Sequence, residues 1–283
     1  MIRVPNAPAG VDVSTPAPAR IYDYMLRGSN HFPSDVEAAG KILSAVPEIR
    51  DCAWSNRGFH QRAAKWIAEQ GVRQFLDIGS GLPTVGNTHE VVQTVIPGAR
   101  VVYVDSDPMV AEQGGRLLAD DQSTLVICAD LREPDAILGH PGLKDLIDFS
   151  QPAGLLLTAV MMFVSDAWDP WDLVARYVDV LAPGSYLALS HLTDDYKPPE
   201  TTERFRAVFD RATEQMHFRS KEEITKFFGG LEMVPPYEGG PAGLCYTGVW
   251  GAEDPVLADS EGARWLYCGV AGKQGPSAAR LWT

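Results

Sequence analysis

The segment Gln74-Phe75-Leu76-Asp77-Ile78-Gly79-Ser80-Gly81-Leu82-Pro83-Thr84 leaves few folds open to this chain. Phe75, Leu76 and Ile78 read as a short buried strand, with an acidic residue near its end followed by Gly-x-Gly. Asn87 and Glu90-Val91-Val92 read as the first turns of a helix. A strand running through glycines into a helix is how α/β folds build a nucleotide site, because glycine lets the backbone turn tightly and approach a ligand where a Cβ would clash. The competing reading is a tight strand–helix turn with no ligand.

The rest of the chain repeats the pattern. Strands read at 100–105, 124–129, 153–159 and from Tyr186 to His191. Helices read at 87–96, after Asp107-Pro108, around 133–139 and after Asp169-Pro170. Strand 153–159 is a near-continuous apolar run, as in a central parallel strand buried on both faces. Such alternation predicts a parallel sheet with right-handed crossovers. After helices at 201–216 and 221–228, Leu231-Glu232-Met233-Val234 and Trp265–Ala271 read as strands joined without a helix, hence an antiparallel edge. Ser220 with Glu223 is a capping box.

Three helices precede the sheet. Thr15 is the expected cap of a helix over 17–27, with Gly28 at its C′ position. Ser34 is the expected cap of a second helix, which Pro47 ends. Ser55 is the expected cap of a third, over 54–70. The organisation expected is a flexible arm over 1–16, a helical lid over 17–71 and an α/β domain over 72–283.

The formal net charge of -13 argues against non-specific binding to nucleic acid or to an anionic membrane. No run of about 18 apolar residues offers a transmembrane helix, and the N-terminus lacks the apolar core of a signal peptide. Cys52, Cys128, Cys245 and Cys268 are scattered with no C-x-x-C pair, which favours reduced thiols in a cytoplasmic protein over a disulfide framework or a metal site.

Two more carboxylates stand at strand ends, where open α/β sheets bind ligands. Asp105 is placed to accept from both hydroxyls of a ribose. Asp130 is placed to accept from an adenine amino group, with the Leu131 N–H serving a ring nitrogen. Asp107, just before Pro108, reads instead as a helix cap. A dinucleotide fingerprint wants Gly-x-Gly-x-x-Gly, and Thr84 stands where its third glycine would be.

Asp-x-Gly-x-Gly resembles motif I of the class I S-adenosylmethionine (SAM)-dependent methyltransferases. Ala19–Gly28, Asn56-Arg57-Gly58-Phe59, Gln74–Thr84, His89-Glu90-Val91 and Val102–Pro108 together resemble the actinobacterial SAM-dependent methyltransferase family once called domain of unknown function 574. The resemblance covers nearly the whole chain after residue 15. It departs at Arg27-Gly28-Ser29, where that family usually has Gly-Gly-Lys.

The resemblance implies a Rossmann-like class I fold, a seven-stranded mostly parallel sheet with an antiparallel C-terminal strand. It also implies SAM as cofactor, with Gly79 and Gly81 admitting its amino-acid end and Asp77 holding the ammonium directly or through water. Ser80, Ser106, Thr158, Tyr24 and Asn56 complete the expected cofactor set with Asp105, Asp130 and Leu131; Tyr24 or Tyr22 would cover the cofactor or simply pack the helix.

The expected activity is methyl transfer to a small-molecule acceptor. The Asp/Asn-Pro-Pro-Tyr/Phe signature of amino-methyltransferases is absent; the chain has Thr158-Ala159-Val160-Met161-Met162-Phe163 there. Met161, Met162 and Phe163 read first as core and second as an apolar acceptor pocket. His191, at a strand's carboxyl end, is the candidate general base; His31, His60, His89 and His217 read as surface or capping residues. The alternatives are a nicotinamide-dependent dehydrogenase and a SAM-binding regulatory protein without turnover.

Overall fold

The computed structural model describes residues 7–8, 10–119 and 121–275. Its strands are β1 (Gln74–Ile78), β2 (Arg100–Asp105), β3 (Thr124–Cys128), β4 (Gly154–Thr158), β5 (Tyr186–Leu192), β6 (Glu232–Met233), β7 (Cys245–Tyr246) and β8 (Leu266–Gly272). They form one sheet in the order β3-β2-β1-β4-β5-β8-β6, with β7 also paired to β8. The first five are parallel, and β8 runs antiparallel to β5 from Leu192↔Leu266 to Tyr186↔Gly272. β6 and β7 share the other edge of β8. The two-residue β7 lies between the two strands that sequence reading expects at this edge. The chain leaves β1 toward β2 and β3, then returns to β4 on β1's other side, so a crevice opens at the carboxyl ends of β1 and β4.

Helices α4 (Thr88–Val95), α5 (Pro108–Leu117), α6 (Pro134–Gly139), α7 (Pro141–Leu146) and α8 (Pro170–Asp179) cross between the parallel strands. The N-terminal helices are α1 (Pro18–Met25), α2 (Pro33–Ala45) and α3 (Ile49–Glu69); α9 (Pro199–Phe209) and α10 (Lys221–Lys226) follow β5. Among the described residues no helix is long and apolar enough to cross a membrane.

Strand periodicity sorts the side chains. Phe75, Val101, Leu156 and Ala188 face Phe59, Ala63 and Ile67 of α3. Leu76, Val102, Leu155 and Leu187 face the other layer, with Val174 and Tyr177 of α8. The second half of α3 therefore belongs to the sheet's own packing. Its first half reaches past the strand ends, where Cys52, Ala53, Asn56 and Arg57 line the crevice.

The N-terminal helices do not start where the local serines and threonine suggest. Proline at N1 fixes α1 at Pro18 and α2 at Pro33. The fully buried Asp35 carboxylate accepts from Ala17 N (2.9 Å) and Phe32 N (2.8 Å), serving both starts at once. Thr15 bonds back to Asp12, Ser34 to the Val13 carbonyl, and Ser55 lies inside α3, bonded to Thr247. At the end of α1, Arg27 rather than Gly28 takes the left-handed C′ position (φ 62°), while Gly28 N–H closes onto the Asp23 carbonyl at 2.8 Å. Gly28 is needed for another reason: a Cβ there would lie 2.0 Å from the Asp23 carboxylate.

The glycine turn after β1 has two distinct glycines. Gly79 (φ +70°) has its N–H on the Val104 carbonyl at 2.7 Å, and a Cβ on it would lie 2.1 Å from Val160. Gly81 (φ +67°) has nothing within 4 Å of where a Cβ would stand. Gly79 is thus required by packing and Gly81 opens onto free space. A Gly79→Ala variant should lose about 2–4 kcal/mol in urea denaturation from strain and overlap, partly restored by Val160→Ala. Wild-type stability in Gly79→Ala would contradict this close contact.

Candidate active site

A cavity of about 530 Å³ occupies the crevice. Its polar side is built from the ends of the first three strands: Gly79, Ser80 and Gly81 after β1, Asp105 and Ser106 at β2, Asp130 and Leu131 after β3. Its other side is apolar. Met162 and Phe163 follow β4, Leu192 ends β5, and Phe205, Phe209 and Met216 come from α9 and beyond. Residues of α1, α2 and α3 close it over. Gly10, Val11 and Asp12 also line it. Of the arm expected over 1–16, residues 1–6 and 9 lie outside the described residues.

Asp105 ends β2 at the cavity wall. Its Oδ2 accepts from Gly81 N at 2.9 Å and its Oδ1 from Asp107 N at 3.0 Å. That holds the carboxylate at the cavity wall with lone pairs to spare. Burial pushes its pKa up to about 6, against these N–H groups, which lower it. Asp107 caps α5 through Met109 N. Asp130 is gripped by Arg132, whose Nε lies 2.9 Å from both carboxylate oxygens and whose NH2 lies 2.6 Å from Oδ2. Burial would raise the Asp130 pKa, but the Arg132 bonds outweigh it and hold it low. Arg132 also reaches Glu214 at 3.2 Å, which ties the loop after β3 to the segment after α9. Leu131 lines the cavity, and its carbonyl accepts from Tyr177 OH at 2.7 Å.

Asp77 is placed differently from the expectation. Its side chain shares the α3 face with Phe75, is buried, and does not line the large cavity. Its Oδ2 accepts from Thr88 Oγ1 at 2.6 Å, with His60 Nε2 at 3.7 Å. Burial raises its pKa to about 6. Thr158 lines the cavity and bonds His60 Nδ1 at 2.9 Å. Asn56 lines it too, donating to Tyr22 OH (3.0 Å) and accepting from Ser190 Oγ (2.5 Å). Tyr22, not Tyr24, faces the cavity. Tyr24 lies against the His31 ring and the Arg50 guanidinium instead.

His191 does not reach the cavity. Strand alternation turns Ser190 toward α3 and His191 to the opposite face, where it is wholly buried and stacked on Phe227. Arg219 donates to its Nε2 at 2.7 Å, so the ring is neutral, with its proton on Nδ1 toward the Leu192 carbonyl. Burial, then Arg219, lowers its pKa to about 3. A ring so held takes no proton from an acceptor.

Sequence reading misses the first of three features of the cavity wall. His60 is a buried cavity residue rather than a surface one. Arg20 is 2% exposed and lines the cavity, with Nε and NH1 lacking a hydrogen-bond partner among the described residues. Met162 and Phe163 line the cavity, while Met161 joins the core. In α3, the i, i+4 pair Asn56 and His60 carries the polar signal that could have found the first of these.

Five parallel strands with a reversed strand beside them, and a cavity at the switch point, define a class I methyltransferase fold. The chain belongs to the family described as S-adenosyl methyltransferase, whose sequence profile matches residues 5–274. The crystal structure of a candidate methyltransferase from Thermobifida fusca YX is 41% identical, with 95% of this chain and 98% of that one covered and a TM-score of 0.86. A protein of the domain-of-unknown-function-574 family from Streptomyces avermitilis is 36% identical, with 93% and 99% covered and a TM-score of 0.85. No match was found among proteins of curated function.

The buried state of His191 has a measurable consequence. Unfolding returns the ring from about 3 to its ordinary 6.5, so below that pH the unfolded chain binds a proton that the folded chain refuses. This contribution to stability is lost as pH falls. His191→Gln lacks it, so the stability gap between wild type and His191→Gln should narrow by ~2 kcal/mol from pH 7 to pH 5 in urea titrations. A constant gap would mean that the ring titrates freely in the folded state.

Proposed function

We propose that the protein transfers the methyl group of SAM to a small-molecule acceptor held in the apolar part of the cavity. The observation that carries this reading is the joining, in one cavity, of a polar wall at Gly81 and Asp105 to an apolar chamber beyond β4 and β5. The residues present fit SAM. The open space at Gly81 admits a ligand against the backbone. Asp105 offers acceptors for ribose hydroxyls, and Leu131 with Asp130 borders the place of an adenine. The buried donors of Arg20, Arg57 and Ser80 that lack partners among the described residues suit a carboxylate. Asn56 and Ser106 line the same space.

When bound, SAM supplies a methyl group already activated by its sulfonium, and the chain's task is alignment. The apolar chamber excludes water from the line of transfer, and the closing helices hold the acceptor at the mouth of β4.

Calorimetry with SAM, S-adenosylhomocysteine and NADH tests the reading. The first two should bind and NADH should not. Asp105→Ala should weaken SAM binding by about 1.5–3 kcal/mol, the scale of charge-assisted hydrogen bonds. Unchanged affinity in a folded Asp105→Ala protein would remove Asp105 from the site, and tight NADH binding would overturn the function.

A further inference from the structure

Four side chains from four elements form one file at the wall of the cavity. Thr158 Oγ1 at the end of β4 lies 2.9 Å from His60 Nδ1 of α3, and His60 Nε2 lies 2.8 Å from Thr88 Oγ1 of α4. Thr88 Oγ1 donates to Asp77 Oδ2 of β1 over 2.6 Å. The inner three are buried and Thr158 lines the cavity.

The direction of every bond follows from the inner end. Thr88 has a single hydroxyl proton and gives it to the Asp77 carboxylate. Its oxygen can then only accept from His60, so Nε2 carries the ring proton. Burial and the Arg57 charge lower the His60 pKa to about 3, which keeps the ring neutral and leaves Nδ1 bare. Nδ1 therefore accepts from Thr158, whose oxygen keeps lone pairs for the cavity. All the bonds point the same way, from the cavity to Asp77.

We propose that this file is the proton exit for a hydroxyl acceptor, a phenol or alcohol on an apolar body seated against Met162, Phe205 and Phe209. The proposal rests on the methyltransferase reading above. A hydroxyl is the acceptor that needs such an exit, because its oxygen becomes a strong nucleophile only as its proton leaves, whereas a free amine or a carboxylate attacks as it stands.

In the step, the acceptor's O–H bond breaks and an O–CH3 bond forms. The methyl group's bond to sulfur breaks with its electron pair staying on sulfur. Thr158 takes the acceptor's proton and passes its own to His60 Nδ1. His60 releases its Nε2 proton to Thr88, which gives its own to Asp77. Asp77 ends as a neutral carboxylic acid and His60 as the other neutral tautomer; both reset when the proton returns to water after product leaves.

Asp77 is suited to the terminal place. Burial raises its pKa to about 6 against the Thr88 bond and the Arg57 charge, which lower it, with Asp105 adding to the rise. His60 and Arg57 face it from α3, Tyr103 and Asp105 from β2, and Thr88 from α4, with His89 beyond on the Tyr103 hydroxyl. The carboxylate is ionised and able to receive a proton at neutral pH. It is filled, and the file blocked, as pH falls through about 6.

The test uses the full chain with SAM and two probes: 2-naphthol, un-ionised at neutral pH, and pentafluorophenol, ionised there. Thr158→Val should lower methyl transfer to 2-naphthol by about 100-fold and leave transfer to pentafluorophenol unchanged. Thr158→Ser should restore the 2-naphthol rate. Wild-type transfer to 2-naphthol should fall on acidification through about pH 6.

Independent of turnover, 15N NMR of histidine-labelled protein, with His60 identified from His60→Gln, should show the neutral Nε2–H tautomer. An Nδ1–H tautomer or an imidazolium at neutral pH overturns the proposal, as does equal loss with both probes in Thr158→Val. Loss of S-adenosylhomocysteine binding in Thr158→Val would make Thr158 a cofactor contact and overturn it too. Binding of S-adenosylhomocysteine by wild type with no transfer to 2-naphthol overturns the proposal alone; failure to bind SAM overturns the methyltransferase reading and the proposal with it.

Discussion

Three polar side chains sit at the carboxyl rim of the sheet on one face: Asp77 on β1, Thr158 on β4 and Ser190 on β5. Asp77 and Ser190 are buried, and a buried polar group without a partner costs on the order of 1–3 kcal/mol. One helix answers them. α3 brings His60 to Thr158 and, through Thr88, to Asp77, and brings Asn56 to Ser190. With α3 pinned there, its apolar second half covers the sheet and its first half projects over the strand ends. The roof of the cavity is set by this pairing, and so is the place of Tyr22, which donates to the Ala53 carbonyl and accepts from Asn56.

The remainder of the roof is held by charge buried in pairs. Asp35 serves the starts of α1 and α2, and Arg20 lies between Asp35 (3.7 Å) and Asp107 (3.5 Å) at the cavity edge. Arg132, Asp130 and Glu214 tie the opposite rim. Between these clamps the lining changes character across the sheet. Carboxylates and glycines end β1, β2 and β3, while methionine, leucine and phenylalanine gather past β4 and β5. A charged ligand and an apolar one can thus meet at β4 without either being buried in the wrong surroundings.

The parallel sheet and its edge were legible because strand and helix periods differ and because Gly, Pro and Asp punctuate the chain at each change. The glycine turn after β1 and the place of Asp105 at the end of β2 were legible for the same reason: a strand end followed by a turn has few uses. The cap of α1 was not, because the bond partner of Ala17 N is Asp35, 18 residues further along the chain. His191 misleads because sequence places it at the correct end of a strand but does not reveal which face lies toward the crevice. One residue of register separates Ser190 from His191. His60 was hidden in a helix that reads as amphipathic. Its partners Thr88 and Thr158 are 28 and 98 residues away, and no local pattern joins them.

The central claim is that the cofactor lies between the strand ends and the N-terminal helices. Hydrogen exchange with and without S-adenosylhomocysteine tests it most directly. Binding should slow exchange at residues 79–81 and 105–107 together with residues 10–25 and 52–60, because the same ligand would touch floor and roof. Bound S-adenosylhomocysteine that leaves exchange at 10–25 and 52–60 unchanged would contradict the account.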